Sequence, residues 1–175
     1  MLPGRYEQGL TLVELMIALA VAAILLLWGA PSMRSLYAES RAEAKIHALY
    51  HDLTQARHLA LSYQAMVTLC PLSPSNQCNG QWGQGYQIFV DGLPLQRLGS
   101  DDLVVVSRNG IHSADYLKYS ATVNAIRFDP EGFTGQNGSF YYCSNQLLVS
   151  HPMKVVISRT GRVKLEEHDG STGCQ

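Results

Sequence analysis

A long uncharged stretch near the N-terminus limits what this chain can fold into. Residues 15–33 contain no charged side chain, and the 21 residues from 10 to 30 are apolar apart from Thr11 and Glu14. At about 1.5 Å of rise per residue, a helix of this length crosses the hydrocarbon core of a bilayer. We therefore expect a transmembrane helix segment over residues 10–33 and a more polar domain after it.

The charge balance excludes a globally basic, nucleic-acid-binding surface. The chain has 175 residues, with 13 Lys and Arg against 14 Asp and Glu and a net charge of -1. Any contact with nucleic acid must therefore come from a local basic patch. Charged residues make up only 15% of the chain, whereas soluble domains usually have about 25%, and the uncharged stretch accounts for much of this deficit.

A secretory signal peptide is the alternative explanation of the apolar run. Such a peptide has a shorter apolar core, followed by a small-x-small cleavage site. Here the polar leader, residues 1–9, ends in Gly9 directly before the run. Cleavage after Gly9 would keep the apolar segment in the mature protein.

Glu14 is the only acid in this run. An ionised carboxylate within a transmembrane helix costs about 2.5–3.5 kcal/mol, so we expect a partner that compensates its charge. If the chain is cut after Gly9, the new amino group of Leu10 lies one helical turn before Glu14. The amine of a neighbouring subunit is an equally suitable partner. The alternative is that Glu14 lies at the headgroup boundary.

Residues 9–14 (GLTLVE) resemble the class III signal of type IV pilins and type II secretion pseudopilins. In that family a prepilin peptidase cuts after the glycine and methylates the new N-terminus. The resemblance implies cleavage after Gly9 and methylation of Leu10, and it implies a role for Glu14 in filament assembly. The family usually has Phe after the cleavage site, where this chain has Leu10.

A second helical segment is predicted over residues 34–65. Pro31 should kink the first helix or end it near Ala30. Apolar residues then recur at spacings of three and four, which predicts an amphipathic helix. They are Ile46, Leu49, Tyr50, Leu53, Ala56 and Ala60. Such a face needs a partner, and we expect it to pack on the rest of the chain.

Three histidines lie on this predicted helix: His47, His51 and His58. A pair spaced like His47 and His51 can bind a metal ion. The nearby sequence has neither an HExxH pattern nor a third ligand. We interpret these histidines as exposed or packing residues, and we predict no metal site and no cofactor.

Residues 66–175 predict a β-rich head. About seven short runs of β-branched and aromatic residues are separated by turn residues. The predicted strands are Met66–Cys70, Tyr86–Val90, Leu103–Ser107, Asn124–Phe128, Ser139–Cys143, Met153–Ser158 and Gly161–Leu165. Turn pairs such as Asp91-Gly92 favour antiparallel hairpins. The predicted class is α+β, with a long N-terminal helix packed on antiparallel sheet, which is the layout of pilin-like folds.

Four cysteines follow the apolar segment, and three pairings are possible. We favour Cys70 with Cys78, which closes a Pro/Ser/Asn loop, and Cys143 with Cys174, which attaches the C-terminal tail to a strand. Disulfides need an oxidising compartment, so the head is expected in the periplasm or outside the cell. A zinc site is the alternative, which the absence of CxxC spacing disfavours.

Later segments are similar to the GspH/FimT/FimU group of minor pilins and pseudopilins. They are residues 52–57 (DLTQAR), 67–71 (VTLCP), 82–92 (WGQGYQIFVDG), 126–132 (IRFDPEG) and 156–164 (VISRTGRVK). The Cys-Pro segment and the cysteine near the C-terminus are more similar to the pilus members FimT and FimU than to the secretion member GspH.

A candidate DNA-binding motif follows from the same resemblance. In FimT-like proteins a C-terminal GRxR motif is associated with DNA binding during natural transformation. The matching residues are 161–164, with Lys164 in place of the last arginine. On an extended strand Arg162 and Lys164 share one face, and Arg159 lies across the turn. The opposing features are the acids that follow, namely Glu166, Glu167 and Asp169. A solvated strand face without a ligand is the alternative.

No arrangement of residues indicates catalysis. Ser107, Ser139 and Ser158 lack the context of a nucleophile elbow, and no glycine-rich phosphate loop follows a predicted strand. We therefore expect a protein that is not an enzyme.

The combined expectation is a minor type IV pilin of the bacterial inner membrane. It would span that membrane once with its head in the periplasm, be processed by prepilin peptidase, and join other major and minor pilins at the pilus tip. The alternatives are a GspH-like minor pseudopilin of a type II secretion system, and a FimT-like DNA-binding pilin.

Overall fold

The computed structural model describes residues 11–144 and 152–168 of the chain. The contact pattern divides the chain into two compact units, Met1–Tyr37 and Ala38–Gln175. The described residues form one α-helix, α1 (Leu12–Tyr63), a 3-10 turn (Trp82–Gln84) and eight strands. The strands are β1 (Val67–Cys70), β2 (Gly85–Val90), β3 (Leu103–Asn109), β4 (Asp115–Tyr119), β5 (Ile126–Phe128), β6 (Gly138–Ser144), β7 (Met153–Ile157) and β8 (Val163–Glu167). The predicted α+β class is confirmed.

In the first unit, the N-terminal part of α1 exposes its side chains in all directions. Residues 12–25 are all exposed, and most of them are aliphatic. The predicted leader, residues 1–9, and Leu10 lie outside the described residues. Within the described part of the chain, no helix combines the length and the apolar character that crossing a membrane requires.

Pro31 lies within α1, so the helix does not end near Ala30 as one of the two alternatives proposed. Proline removes a single backbone N–H donor from the helical ladder. The helical turns on both sides keep their own hydrogen bonds, and the helix continues for 32 residues beyond Pro31 to Tyr63.

In the second unit, α1 packs through the apolar face that the sequence predicts. Ile46, Leu49, Leu53, Ala56 and Ala60 are at most 2% exposed. They share one core with large side chains from five strands, which are Val67, Ile88, Ile126, Phe128, Phe140, Val155 and Ile157. Each large aliphatic or aromatic side chain buried in this way contributes about 1.5–3 kcal/mol.

The strands form two antiparallel four-stranded sheets. The first has the order β3-β2-β1-β5, and the second has the order β4-β6-β7-β8. The antiparallel pairing agrees with the turn residues of the sequence. Strand β4 was not predicted, because its sequence DYLKY begins with an acid and alternates weakly. Asp115 is buried, and the cation on α1 that pairs with it, Arg41, compensates the cost of burying its charge.

One carboxylate on α1 attaches the helix to the first sheet. Asp52, which is 1% exposed, accepts hydrogen bonds from Arg108 Nε at 2.7 Å and Nη2 at 2.8 Å. It also accepts one from Tyr86 Oη at 2.8 Å. The bond to Asp52 raises the pKa of Arg108, and burial raises the pKa of Tyr86. This bidentate geometry orients α1 against β2 and β3.

A matching arrangement attaches α1 to the second sheet, with the carboxylate on the strand. Asp115 accepts bonds from Arg41 Nε at 2.7 Å and Nη2 at 3.2 Å, and from Tyr142 Oη at 2.6 Å. The bond to Asp115 raises the pKa of Arg41. The two clusters lie about three helical turns apart on α1 and set its rotation relative to both sheets.

The connection between β2 and β3 is held by two aspartates and by the loop that Cys70 and Cys78 close. Asp91 is 5% exposed and accepts hydrogen bonds from the Thr68 hydroxyl and from the Gln96 backbone N–H at 3.0 Å. Asp102 accepts bonds from the backbone N–H groups of Gly92 and Gly99 at 2.9 and 2.8 Å. The connection is therefore ordered along most of its length.

Asp91 predicts a pH dependence of stability. Burial raises the pKa of Asp91 above the usual 3.8, and the nearby charge of Asp102 raises it further. The hydrogen bonds from Thr68 and Gln96 and the charge of Arg127 lower this pKa, but their effect is smaller than that of burial. A raised pKa in the folded state stabilises the fold below the unfolded pKa, and this stabilisation is lost as the pH rises through the folded pKa.

We expect Asp91→Asn to remove this loss. The melting temperature of the variant relative to the parent should increase by a few degrees between about pH 4 and about pH 8. Thermal unfolding followed by circular dichroism measures the difference. An equal difference at all pH values would contradict the assignment.

Candidate functional site

The N-terminal end of α1 is capped by a threonine of the predicted signal. Thr11 Oγ1 accepts a hydrogen bond from the backbone N–H of Glu14 at 3.2 Å, and Thr11 O accepts one from Leu15 N–H at 3.2 Å. Thr11 is thus the N-cap, and Glu14 is the third helical residue, in the Thr-x-x-Glu spacing of a capping box. That spacing is present in the sequence, but the sequence analysis did not predict the cap.

The position of Glu14 has two physical consequences. Its carboxylate lies in the first turn of the helix, where the partial positive charge of the helix end favours an acid by about 0.3–1 kcal/mol. The side chain is exposed, so it is accessible to another molecule. Gly9 and Leu10, the predicted sites of cleavage and methylation, lie outside the described residues.

The three candidate DNA-binding cations lie around the turn between β7 and β8. Arg159, Arg162 and Lys164 are all exposed. Arg159 Nε donates to Asn137 Oδ1 at 3.2 Å, and the Arg162 backbone N–H donates to Ser158 Oγ at 3.2 Å. Within residues 11–144 and 152–168, none of the three cations forms an ion pair with an acid.

The register of the second sheet adds residues that the sequence analysis missed. Lys118 on β4 is opposite Tyr141 on β6, Tyr141 is opposite Lys154 on β7, and Lys154 is opposite Glu166 on β8. Directly opposed residues have Cβ atoms about 4.5–5.5 Å apart on the same face. Lys164 lies on this face as well, since it is two residues before Glu166 on the same strand.

This outer face of the second sheet therefore carries more positive charge than the candidate motif alone. Of the acids that follow the motif, Glu166 lies on this face. Lys154 Nζ lies 3.7 Å from Glu166 Oε2, and Glu167 has the opposite side-chain direction on β8. Asp169 lies outside the described residues. Strand pairing reveals this face, because β4 and β6 are distant from residues 161–164 in the sequence.

The histidines on α1 occupy separate surroundings. His47 Nε2 lies 4.0 Å from Glu43 Oε1, and His51 contacts the ring of Tyr50 edge-on with centroids 5.3 Å apart. Among the described residues, no three or more His, Cys, Asp or Glu side chains are grouped closely enough to hold a metal ion.

The described cysteines form disulfides. Cys70 and Cys78 are joined, with an S–S distance of 2.00 Å and a Cα–Cα distance of 5.5 Å. Cys143 is also disulfide-bonded. Its predicted partner, Cys174, lies outside the described residues, so that pairing remains a prediction.

The segments that carry the family resemblance meet as structural contacts. Arg57 Nε donates to the Gly132 carbonyl at 3.0 Å. Gly161 has φ of +71°, and a Cβ atom on it would lie 1.9 Å from the Gly132 oxygen. Residues 52–57 also contain the buried Asp52, and Asp91 of residues 82–92 bonds Thr68 of residues 67–71. Arg57 and Asp52 thus attach α1 to the β5–β6 turn and to the first sheet, and the Asp91–Thr68 bond joins β1 to the end of β2.

The fold and the N-terminal pattern define a class: a pilin-like subunit with one long helix and a β-rich head. The family model for the type II transport protein GspH matches residues 45–161, and the model for the prokaryotic N-terminal methylation motif matches residues 4–30. The chain belongs to the GspH family. The motif and the family together indicate a membrane-anchored protein of a pilus or pseudopilus that assembles with other pilins. No curated protein matches the chain.

Solved structures of two proteins share the fold. The type IV minor pilin FimU of Pseudomonas aeruginosa (strain PAO1) has a TM-score of 0.58 at 19% identity, over 74% of this chain and 94% of that one. The minor pseudopilin EpsH from the type 2 secretion system of Vibrio cholerae has a TM-score of 0.53 at 9% identity, over 73% of this chain and 97% of that one. At these identities the similarity shows the fold alone.

Proposed function

We propose that this chain is a minor type IV pilin that is cleaved after Gly9, is methylated on Leu10, and helps to start pilus assembly at the tip. The supporting observation is the first part of α1. Residues 12–25 are apolar with the exception of Glu14, and none of them is buried by the rest of the chain. A helix that is apolar all round needs an apolar environment. The inner membrane before assembly, and the helices of other subunits after it, provide that environment.

Glu14 is proposed to set the axial position of the subunit in the filament. The Thr11 cap places Glu14 in the first helical turn, four residues after the N-terminus that cleavage after Gly9 would create. An amine from a neighbouring subunit would remove the cost of the buried charge, which is about 2.5–3.5 kcal/mol in a membrane. Prepilin peptidase and the other major and minor pilins are the partners that this proposal requires.

The test compares Glu14→Val and Glu14→Gln with Glu43→Gln, which changes an exposed acid on the same helix. We expect both Glu14 variants to be cleaved normally but to be at least tenfold depleted from sheared pili, and Glu43→Gln to behave like the parent. Equal incorporation of all variants would refute the role of Glu14.

The minor pseudopilin of a type II secretion system is the second candidate, favoured by the match of residues 45–161 to the GspH model. This role requires the same cleavage, methylation and N-terminal helix, but the subunit would assemble into the pseudopilus of a secretion system and not into a pilus. Deletion of the gene, followed by parallel measurements of twitching, protein secretion and DNA uptake, separates the candidates. Loss of secretion with normal twitching would identify the secretion role.

DNA binding is a third proposal, supported by the outer face of the second sheet. Lys118, Lys154 and Lys164 share that face, and Arg159 and Arg162 lie at its turn. We expect weak binding without sequence preference. The logarithm of the binding constant should fall as the logarithm of the salt concentration rises, and each phosphate contact should make this slope steeper by about 0.9.

The double variant Arg162→Ala plus Lys164→Ala should therefore bind duplex DNA more weakly and with a smaller slope. The matched control is Arg97→Ala plus Lys45→Ala, which removes the same charge elsewhere. Fluorescence anisotropy at several salt concentrations measures both quantities. Unchanged DNA retention by the first variant would refute the proposal.

A further inference from the structure

A pocket of about 240 Å³ lies between α1 and both sheets of the head. Lys45 and Ala48 line it from α1, Tyr86 from β2, Leu117 from β4 and Tyr142 from β6. We call this volume the Lys45 pocket. The proposed role in assembly does not use it.

The wall of the Lys45 pocket is mainly apolar and is held in place by the core. Trp82, which is 5% exposed, packs edge-on against Phe140 with ring centroids 4.9 Å apart. Ile111 and Leu117 add aliphatic surface to the wall. A ring packs well against such a wall, because favourable aromatic pairs add to the free energy that apolar burial contributes.

Two tyrosines line the pocket while their hydroxyl groups are engaged elsewhere. Tyr86 Oη donates to Asp52 at 2.8 Å, and Tyr142 Oη donates to Asp115 at 2.6 Å. Both hydroxyl protons are therefore bound by buried carboxylates. What these residues offer to a ligand is the apolar surface of their rings.

Lys45 brings an uncompensated positive charge to this apolar wall. Its side chain is half-buried, and its amine has neither an acid nor a hydrogen-bond acceptor as a partner among the described residues. Arg108, the other cation at the pocket, is paired with Asp52. None of the described residues that line the pocket is acidic. The charge of the pocket therefore favours a ligand with one negative charge.

The charged residues next to Lys45 on α1 leave this preference in place. One turn earlier, Arg41 is paired with Asp115. Glu43 lies beside His47 and lines a different pocket. Residues two apart on a helix do not face each other, so Glu43 is not a partner for Lys45.

Asn109 supplies a second polar group to the pocket wall. Its side chain is exposed and makes no hydrogen bond within residues 11–144 and 152–168. A side-chain amide has two N–H donors, so an ammonium and an amide suit the two oxygens of a carboxylate. A phosphate monoester carries about 1.5 to 2 negative charges at pH 7, which a single lysine does not balance.

The volume suits one ring with a short acidic side chain. An apolar cavity of about 150 Å³ holds benzene, and the Lys45 pocket is larger, at about 240 Å³. We propose that the Lys45 pocket binds a small aromatic carboxylic acid, with the ring against Trp82 and the tyrosines and the carboxylate at Lys45. This binding activity goes beyond the proposed role in assembly and does not depend on it.

Fluorescence titration of the full-length chain in phosphatidylcholine nanodiscs tests the proposal. The chain has two tryptophans, and Trp28→Phe in every test protein makes Trp82 the single reporter. The ligands are 3-phenylpropionate, the uncharged 3-phenylpropionamide, and propionate, which lacks the ring. We expect 3-phenylpropionate to change the emission of Trp82 saturably, with a Kd of about 1 mM or below. The other two ligands should bind at least about fivefold more weakly, because each lacks one of the two contacts.

Three variants locate the contacts. Lys45→Met should weaken the binding of 3-phenylpropionate about tenfold and leave that of the amide unchanged, because the acid alone uses the ammonium. Lys164→Met, which removes an exposed lysine outside the pocket, is the matched control and should bind like the parent. Ala48→Phe places a ring in the pocket and should abolish the binding of both ligands. Melting temperatures show whether the variants fold, and if Ala48→Phe does not, the difference between acid and amide in Lys45→Met decides.

Three results would overturn the proposal. They are the absence of a saturable emission change, equal affinities of the parent for the acid and the amide, and binding of the acid by Lys45→Met as tightly as by the parent.

Discussion

Replacing Arg108 by methionine is expected to destabilise the head by about 1.5–3 kcal/mol, because it removes two charge-assisted hydrogen bonds from the buried carboxylate of Asp52. The loss is smaller than for a fully buried ion pair, because the Arg108 side chain is 48% exposed and solvent screens its charge. Asp52 is 1% exposed and receives both guanidinium bonds from Arg108, so Tyr86 would remain as its one donor among the described residues. Urea unfolding of the detergent-solubilised chain, followed by tryptophan fluorescence, measures the loss.

Two controls establish the cause. Arg97→Met removes an exposed arginine and should change stability by less than about 0.5 kcal/mol. The double variant Arg108→Met plus Asp52→Asn should lose less than the sum of its two single variants, because it removes both charges of one pair. A loss below about 1 kcal/mol for Arg108→Met would show that the pair does not attach α1 to the sheet.

Replacing Gly161 by alanine is expected to destabilise the head by about 3 kcal/mol or more. Gly161 has φ of +71°, a region that costs residues with a Cβ atom about 1–2 kcal/mol. The added Cβ would also lie 1.9 Å from the Gly132 oxygen, which accepts the bond from Arg57. The turn must therefore separate from the end of α1.

Gly135→Ala is the matched control, since a Cβ atom there meets nothing within 4 Å. Thermal unfolding should separate the two variants clearly, and equal melting temperatures would contradict the geometry. The glycine of the candidate DNA-binding motif thus has a structural role. Tests of DNA binding should change Arg162 and Lys164 and leave Gly161 in place.

Local patterns in the sequence predicted the helix face and most of the strands. The spacing of Ile46, Leu49, Leu53, Ala56 and Ala60 identified the buried side of α1 correctly, because amphipathic periodicity depends only on neighbouring turns. Strand β4 was missed because its apolar pattern is weak, and its Asp115 is neutralised by a residue distant in the sequence, Arg41.

The surfaces of the head could not be predicted in the same way. The row of Lys118, Tyr141 and Lys154 exists because three strands pair in one register. This arrangement leaves no periodic signal, since it depends on contacts between distant segments.

The N-terminal signal, in contrast, could be identified from the sequence alone, because its residues are adjacent in the chain. The family model for the methylation motif matches residues 4–30, which include Gly9, Leu10 and Glu14. The Thr-x-x-Glu spacing within it also predicts the cap that Thr11 forms on α1.

Intact mass measurement of the protein isolated from its native membranes or pili tests the central claim most directly. The account predicts a chain that has lost residues 1–9 and begins with a methylated Leu10. A mature chain that still begins at Met1, or one cut after the apolar stretch, would contradict the assignment of this protein as a processed and assembling pilin.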